Sequence, residues 1–178
     1  MTYKHFLHKI DEVQLSTFSN IEDFKNMDLE NSLYTNSQGL YWFWTNLTNE
    51  ELKEIDFNID SREVPIAYLT ERRESLNNIC NYYHEGFRIV YNGIGSGLRE
   101  RILQEINCNA KNTGTLNLQR RTNLDNWRVS YFNFTDSKNQ KIISALGNGS
   151  NYSLYYEFSQ EIERDWRLEF GTPILNRI

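Results

Sequence analysis

At 178 residues, 39% hydrophobic and 14% aromatic, the chain has the length and apolar content of one packed domain, which excludes a disordered protein. A formal net charge of −5 excludes a uniformly basic surface that coats nucleic acid, although Lys111, Arg120, Arg121 and Arg128 leave room for a local basic face. No run is apolar enough to span a membrane, residues 1–5 lack a signal-peptide apolar region, and Cys80 and Cys108 have no CxxC spacing, so a cytoplasmic protein with two buried thiols is expected.

Residues 1–38 read as a polar helical extension, with Ile21, Phe24 and Met27 on one face, Ser19-Asn20 as a cap and Glu22-Asp23 at the positive end. The aromatic run Gly39-Leu40-Tyr41-Trp42-Phe43-Trp44 predicts a strand. Residues 45–86 read as a helical insertion. Thr48-Asn49-Glu50-Glu51 starts one helix, Pro65 breaks the pattern, and residues 71–83 predict another. A second strand over 87–91 is entered through Gly86, and Gly93, Gly95 and Gly97 predict a sharp turn after it. Residues 98–107 predict a helix burying Leu98, Ile102 and Ile106. Strands over 115–120 and 127–134 are expected to form a hairpin about Asp125-Asn126. The last third predicts helices over 137–146 and 151–170, the second with Phe158, Ile162, Trp166 and Phe170 as its core stripe, ended by Gly171 and Pro173. The expected fold class is α/β of the α+β kind, a small mixed or antiparallel central sheet flanked by helices. Residues 1–38 form an extension to a domain over 39–178, which carries the insertion at about 45–86.

The strand, glycine-dense turn and helix around Tyr91-Asn92-Gly93 carry the most chemical information. Arg101 lies near the end of the first turn of the following helix, where a strand, a tight turn and a guanidinium together can grip a phosphate. Each residue also has an ordinary reading. Tyr41 and Tyr91 are two of eleven tyrosines, Arg101 and Glu105 have the i,i+4 spacing of a surface ion pair, and Glu163 has the position of a helix-surface acid. His5, His8 and His84 lie outside the motif, with His84 close enough in sequence to reach it.

In this order the motifs resemble those of the GIY-YIG nuclease family. Gly39-Leu40-Tyr41 stands for Gly-Ile-Tyr, Tyr91-Asn92-Gly93 for Tyr-Ile-Gly, and Arg101 for the helical arginine that contacts the scissile phosphate. Glu163, with Trp166 after it, stands for the metal-binding glutamate, and Asn176 for the late asparagine that supports the site. The resemblance implies a metal-dependent DNA endonuclease, restriction-type in being a free-standing domain. In it Tyr41 acts as base or water-positioning group assisted by Tyr91, and Glu163 holds Mg²⁺ or Mn²⁺. Gly93, Asn176, Lys111 and Arg120 are then the candidates for contacting substrate. DNA is the implied partner, with no membrane contact and a homodimer left open. Three features depart from the pattern: about fifty residues between the tyrosines, a polar Asn92, and Glu105 where the family has His or Tyr. The departures keep open a noncatalytic nucleic-acid-binding module on the same scaffold, or a protein-interaction domain.

Overall fold

The computed structural model describes residues 1–27, 37–55, 63–107, 114–146 and 155–176. Its centre is β2 (Gly39–Thr45), whose seven residues are all buried, so its near-continuous aromatic run needs apolar partners on both faces. β2 pairs antiparallel with β4 (Phe87–Gly95) on one side and β5 (Trp127–Asn133) on the other. The short β1 (Ser19–Asn20) and β3 (Tyr83–His84) complete a five-stranded antiparallel sheet of order β1-β5-β2-β4-β3. The fold class is α+β.

Helices cover both faces. On the first, Tyr41, Phe43, Tyr91 and Val129 pack with α2 (Ile21–Lys25), α3 (Asn49–Lys53), α4 (Ile66–Arg73), α5 (Leu98–Asn107) and α6 (Leu118–Arg121). On the second, Leu40, Trp42, Trp44 and Phe132 pack with α1 (Tyr3–Ser16), α7 (Ser137–Ser144) and α8 (Tyr155–Phe170). Trp42, Trp44, Trp127 and Trp166 are fully buried, and truncating a side chain of that size to Ala costs about 3–5 kcal/mol. Among the described residues no helix is long and apolar enough to cross a membrane.

β4 changes phase within its length. Phe43 pairs with Tyr91 but Trp44 with Ile89, leaving Val90 as the extra residue of a β-bulge. Val90 and Tyr91 therefore belong to the first face, while Ile89 belongs to the second.

Several expected elements stand where the sequence places them. Asn20 caps α2 by accepting from the Asp23 amide at 2.7 Å, and Thr48 and Glu51 form a reciprocal capping box on α3. α5 buries Leu98, Ile102 and Ile106, and α8 buries Ile162 and Trp166. Others differ. The helix expected over 71–83 lies earlier, directly after Pro65, because Ile66, Ala67 and Leu69 supply a buried face that the polar residues after Arg73 lack. Beyond it the chain is drawn to the C-terminal segment: Cys80 N–H donates to Thr172 O and Thr172 N–H to Asn78 O, both at 2.9 Å. The strand expected over 115–120 is a single bridge from Thr115 to Glu63 followed by α6. Asn117, at φ 49°, breaks the extension that the alternating buried Leu116 and Leu118 imitate. The hairpin about Asp125-Asn126 is correspondingly absent, and β5 pairs with β2 and β1. Cys80 is a buried free thiol, and Cys108 lies outside the described residues.

Gly171 closes α8 at φ 93°, with the Cys80 backbone only 2.8 Å from where a Cβ would stand. Gly171→Ala should lower stability by about 1–3 kcal/mol. Gly97→Ala, which meets nothing closer than 3.7 Å, should stay within about 0.5 kcal/mol of wild type. Urea midpoints at unchanged slope measure both, and equal effects would show that the left-handed position carries no strain.

Candidate active site

Four hydrogen-bond donors converge on the carboxylate of Glu105, which has no solvent exposure. Tyr41 of β2 donates its hydroxyl to Oε1 at 2.9 Å and Tyr91 of β4 does so at 3.2 Å. Arg101, one turn earlier on α5, sets Nη2 at 2.6 Å from the same oxygen. The Leu116 amide donates to Oε2 at 2.9 Å. The Arg101–Glu105 pair is thus a buried pair and not the surface pair its spacing allows. A buried carboxylate needs this saturation, since the desolvation penalty is several kcal/mol per ion.

The glycines of the motif supply space. Gly93 and Gly95 are strand residues, paired with Tyr41 and Gly39, so the sharp turn expected from Gly93 begins only after Gly95. A Cβ on Gly93 would stand 2.4 Å from Tyr41 Oη, and one on Gly95 would stand 2.9 Å from Arg101 Cβ. Only glycine at these positions lets the Tyr41 phenol and the Arg101 stem lie against the strand.

Burial and then the negative charge of Glu105 push the pKa of Tyr41 well above the ordinary phenol value. The same two causes raise Tyr91, to which Glu163 adds a smaller contribution. Burial also raises Glu105, with Arg101 and the Leu116 amide opposing it. At neutral pH both phenols therefore hold their protons and present them to Glu105.

Glu163 lies on α8, which packs on the other face of the sheet from the Glu105 cluster. Its side chain is 15% exposed and its Oε1 accepts from Arg167 Nη2 at 2.7 Å, while burial raises its pKa against the pull of Arg167. Glu161, two residues away, is exposed. Arg167 also donates from Nε to Asn92 Oδ1 at 2.9 Å. Asn92 is buried and orients the arginine that holds Glu163. Asn176 serves as a strand substitute at the open edge of β4. It accepts from the Asn92 amide at 2.9 Å and donates to the Asn92 carbonyl at 2.6 Å. Its own carbonyl accepts from Arg73.

Tyr41, Tyr91, Gly93, Arg101 and Glu105 are therefore brought together on the first face, while Glu163 stands on α8 across the sheet, paired with Arg167. Asn176 supports the strand beneath them with its amide fully engaged. Arg120 lies on α6, 57% exposed and 4.0 Å from Glu63, and Lys111 falls outside the described residues. Of the residues that leave room for a local basic face, Arg120, Arg121 and Arg128 point in different directions among the described residues. Arg121 turns in to the Val64 and Leu116 carbonyls, and Arg128 lies over the Phe87 ring against the second face. Arg99, which helical spacing turns to solvent, reaches the Lys25 carbonyl. His84 packs against Phe18 and Trp44, on the face away from Tyr41. Sequence reasoning missed Asn92 as a functional contributor and missed Arg167 altogether; its i,i+4 spacing from Glu163 was the available signal.

No group of three or more candidate metal ligands occurs among the described residues. Glu163 alone fits the kind of Mg²⁺ site in which one carboxylate is completed by waters and substrate phosphate oxygens. Comparison with protein-family models, curated proteins and solved structures found no match.

Since the native state holds the Glu105 proton more tightly than the unfolded chain, this group's contribution to stability is full below the ordinary value of 4.5 and lost as pH rises through its native pKa. Wild type should therefore lose stability relative to Glu105→Gln as pH rises above the ordinary value of 4.5, as read by urea unfolding at a series of pH values. A difference that grows in favour of wild type over that range would overturn the assigned direction.

Proposed function

We propose that this chain is a metal-dependent DNA endonuclease of the GIY-YIG type, a restriction-like cytoplasmic enzyme that hydrolyses phosphodiester bonds. The observation carrying the reading is the convergence of Tyr41, Tyr91 and Arg101 from β2, β4 and α5, with Gly93 leaving the space for the Tyr41 hydroxyl. A homodimer would bring two such sites to the two strands of a duplex.

Phosphodiester hydrolysis requires a deprotonated water, neutralised charge on the phosphorus and a stabilised leaving oxygen. A phenol as strongly protonated as Tyr41 is a poor base by itself, but it can relay. As the attacking water loses its proton to Tyr41 Oη, the Tyr41 hydroxyl proton passes to Glu105 Oε1, 2.9 Å away. Tyr91 and the Leu116 amide hold Glu105 in position to receive it. Arg101, with its side chain 19% exposed, carries the planar guanidinium that on this reading contacts a nonbridging phosphate oxygen. A divalent cation held by Glu163 would supply Lewis-acid neutralisation of the developing charge. Arg167 and Asn92 orient that carboxylate.

One observation favours a second reading, a noncatalytic nucleic-acid-binding module. Arg101 and Glu163 are each paired with an opposite charge one helical turn away, and the Tyr41 side chain is 1% exposed. Supercoiled plasmid incubated with Mg²⁺, Mn²⁺ or EDTA separates the two: nicking with metal and none with EDTA is expected of the enzyme, binding without nicking of the module. On the enzyme reading Glu163→Gln should abolish nicking while leaving DNA binding intact, and Glu161→Gln should leave both unchanged. Arg101→Ala should lower turnover by about 10²-fold or more, against little change for Arg72→Ala on α4. Full activity in Glu163→Gln would refute the assignment of the metal ligand.

A further inference from the structure

A hollow of about 700 Å³ opens at Arg164 and Arg167, between α8 and the segment leading to β3, and falls in the size range of ligand sites. Arg167 belongs to both places: it lines the hollow, and its guanidinium holds Glu163 and Asn92. The other lining groups include Arg164 and the amides Asn77, Asn78 and Asn81, all exposed. Glu169, the one acid among the lining residues, forms an ion pair with Lys4 at 2.8 Å and a hydrogen bond with His8 at 3.0 Å. With Arg167 paired to Glu163 and Glu169 to Lys4, the unbalanced charge lining the hollow is the positive one of Arg164, set among amides that both donate and accept, on a chain whose net charge is −5. Its far wall is firm. The Cys80 amide donates to the Thr172 carbonyl and the Thr172 amide to the Asn78 carbonyl, and the Tyr82 ring rests edge-on against Phe170 and Trp44.

We propose that this hollow seats the stretch of substrate DNA strand flanking the scissile phosphate. Arg164 holds a backbone phosphate, and the side-chain amides of Asn77, Asn78 and Asn81 meet base edges. The chemistry is that of phosphate contacts that position a strand and amide contacts that read it, since asparagine can pair two atoms of an adenine edge at once. The reading amides come from residues 45–86, so the long separation between Tyr41 and Tyr91 supplies the specificity wall of the site. The inference rests on the endonuclease reading for the placement of the scissile phosphate at Glu163 and Arg101, while strand binding in the hollow stands on the charge and amide pattern alone.

The test measures binding of the full-length chain to a fluorescent 25-base-pair duplex of mixed sequence by anisotropy, in EDTA over a salt series, beside the plasmid nicking assay. Arg164→Ala should weaken binding about five- to tenfold and flatten the dependence of log affinity on log salt by about one. Arg72→Ala, an exposed arginine on α4, should do neither. The triple variant N77A/N78A/N81A should weaken binding while leaving the salt slope as in wild type, because amides neutralise no phosphate. All these positions are exposed, so folding is expected to survive, and circular dichroism checks it. If wild type nicks plasmid and Arg164→Ala binds as wild type does, the hollow is not the strand seat and the endonuclease reading stands. If wild type binds without nicking and Arg164→Ala loses affinity, the hollow stands and the endonuclease reading falls. Equal losses in Arg164→Ala and Arg72→Ala would mean diffuse attraction and overturn the proposal. Absence of duplex binding at low salt would overturn it too and leave the hollow to a protein partner.

Discussion

The removal of one carboxylate from water constrains the whole first face of the sheet. Glu105 cannot be hydrated, so its oxygens need donors, and these come from two strands, its own helix and the residue preceding Asn117. Each donor belongs to a different stretch of chain, which makes the carboxylate a fixed reference for the placing of β2, β4 and α5. A displaced donor would leave a buried acceptor or a buried phenol unpaired, at about 1–3 kcal/mol each. A carboxylate at this position makes the centre of the cluster a proton acceptor.

The second dependency runs through the edge of β4. β3 covers that strand only at Arg88 and Phe87, and further along Leu175 and Asn176 continue the pairing with the Val90 carbonyl and both backbone groups of Asn92. This seals an edge that would otherwise present unpaired amides. It also ties the C-terminal segment to the strand that carries Tyr91. Asn92 is where the two faces communicate, because its backbone holds Asn176 while its side chain holds Arg167.

The elements most legible in sequence were those whose pattern is local. The aromatic run of β2, the Leu98-Ile102-Ile106 stripe of α5 and the Thr48–Glu51 box each declare themselves within a few residues. The stretch from Thr115 to Arg121 misled because Leu116 and Leu118 alternate as a strand would, while a left-handed Asn117 between them is invisible in composition. The candidate residues were named from motif order, but their relation was not. An Arg and a Glu four apart are written identically whether they face water or a core. Glycines were legible as special and illegible in purpose, since close approach by Tyr41 and a tight turn leave the same letter. The link from Asn92 to Arg167 spans 75 residues and has no local signature at all.

The bulge at Val90 carries a consequence for how strands can hold chemistry. Phe87, Ile89, Tyr91 and Gly93 share parity, and an uninterrupted pleat would send all four side chains the same way. Tyr91 would then lie with Trp42 and Trp166, behind the sheet from Tyr41. One supernumerary residue acts as a phase shifter: below it the strand obeys the needs of the tryptophan-rich layer, above it the needs of the phenol pair. The two halves of β4 are thereby released from a common parity, and substitutions can accumulate in one without dictating the face presented by the other. A strand with such a joint behaves as two short modules welded end to end, and the half that carries Tyr91 can be retained intact while the other half diverges.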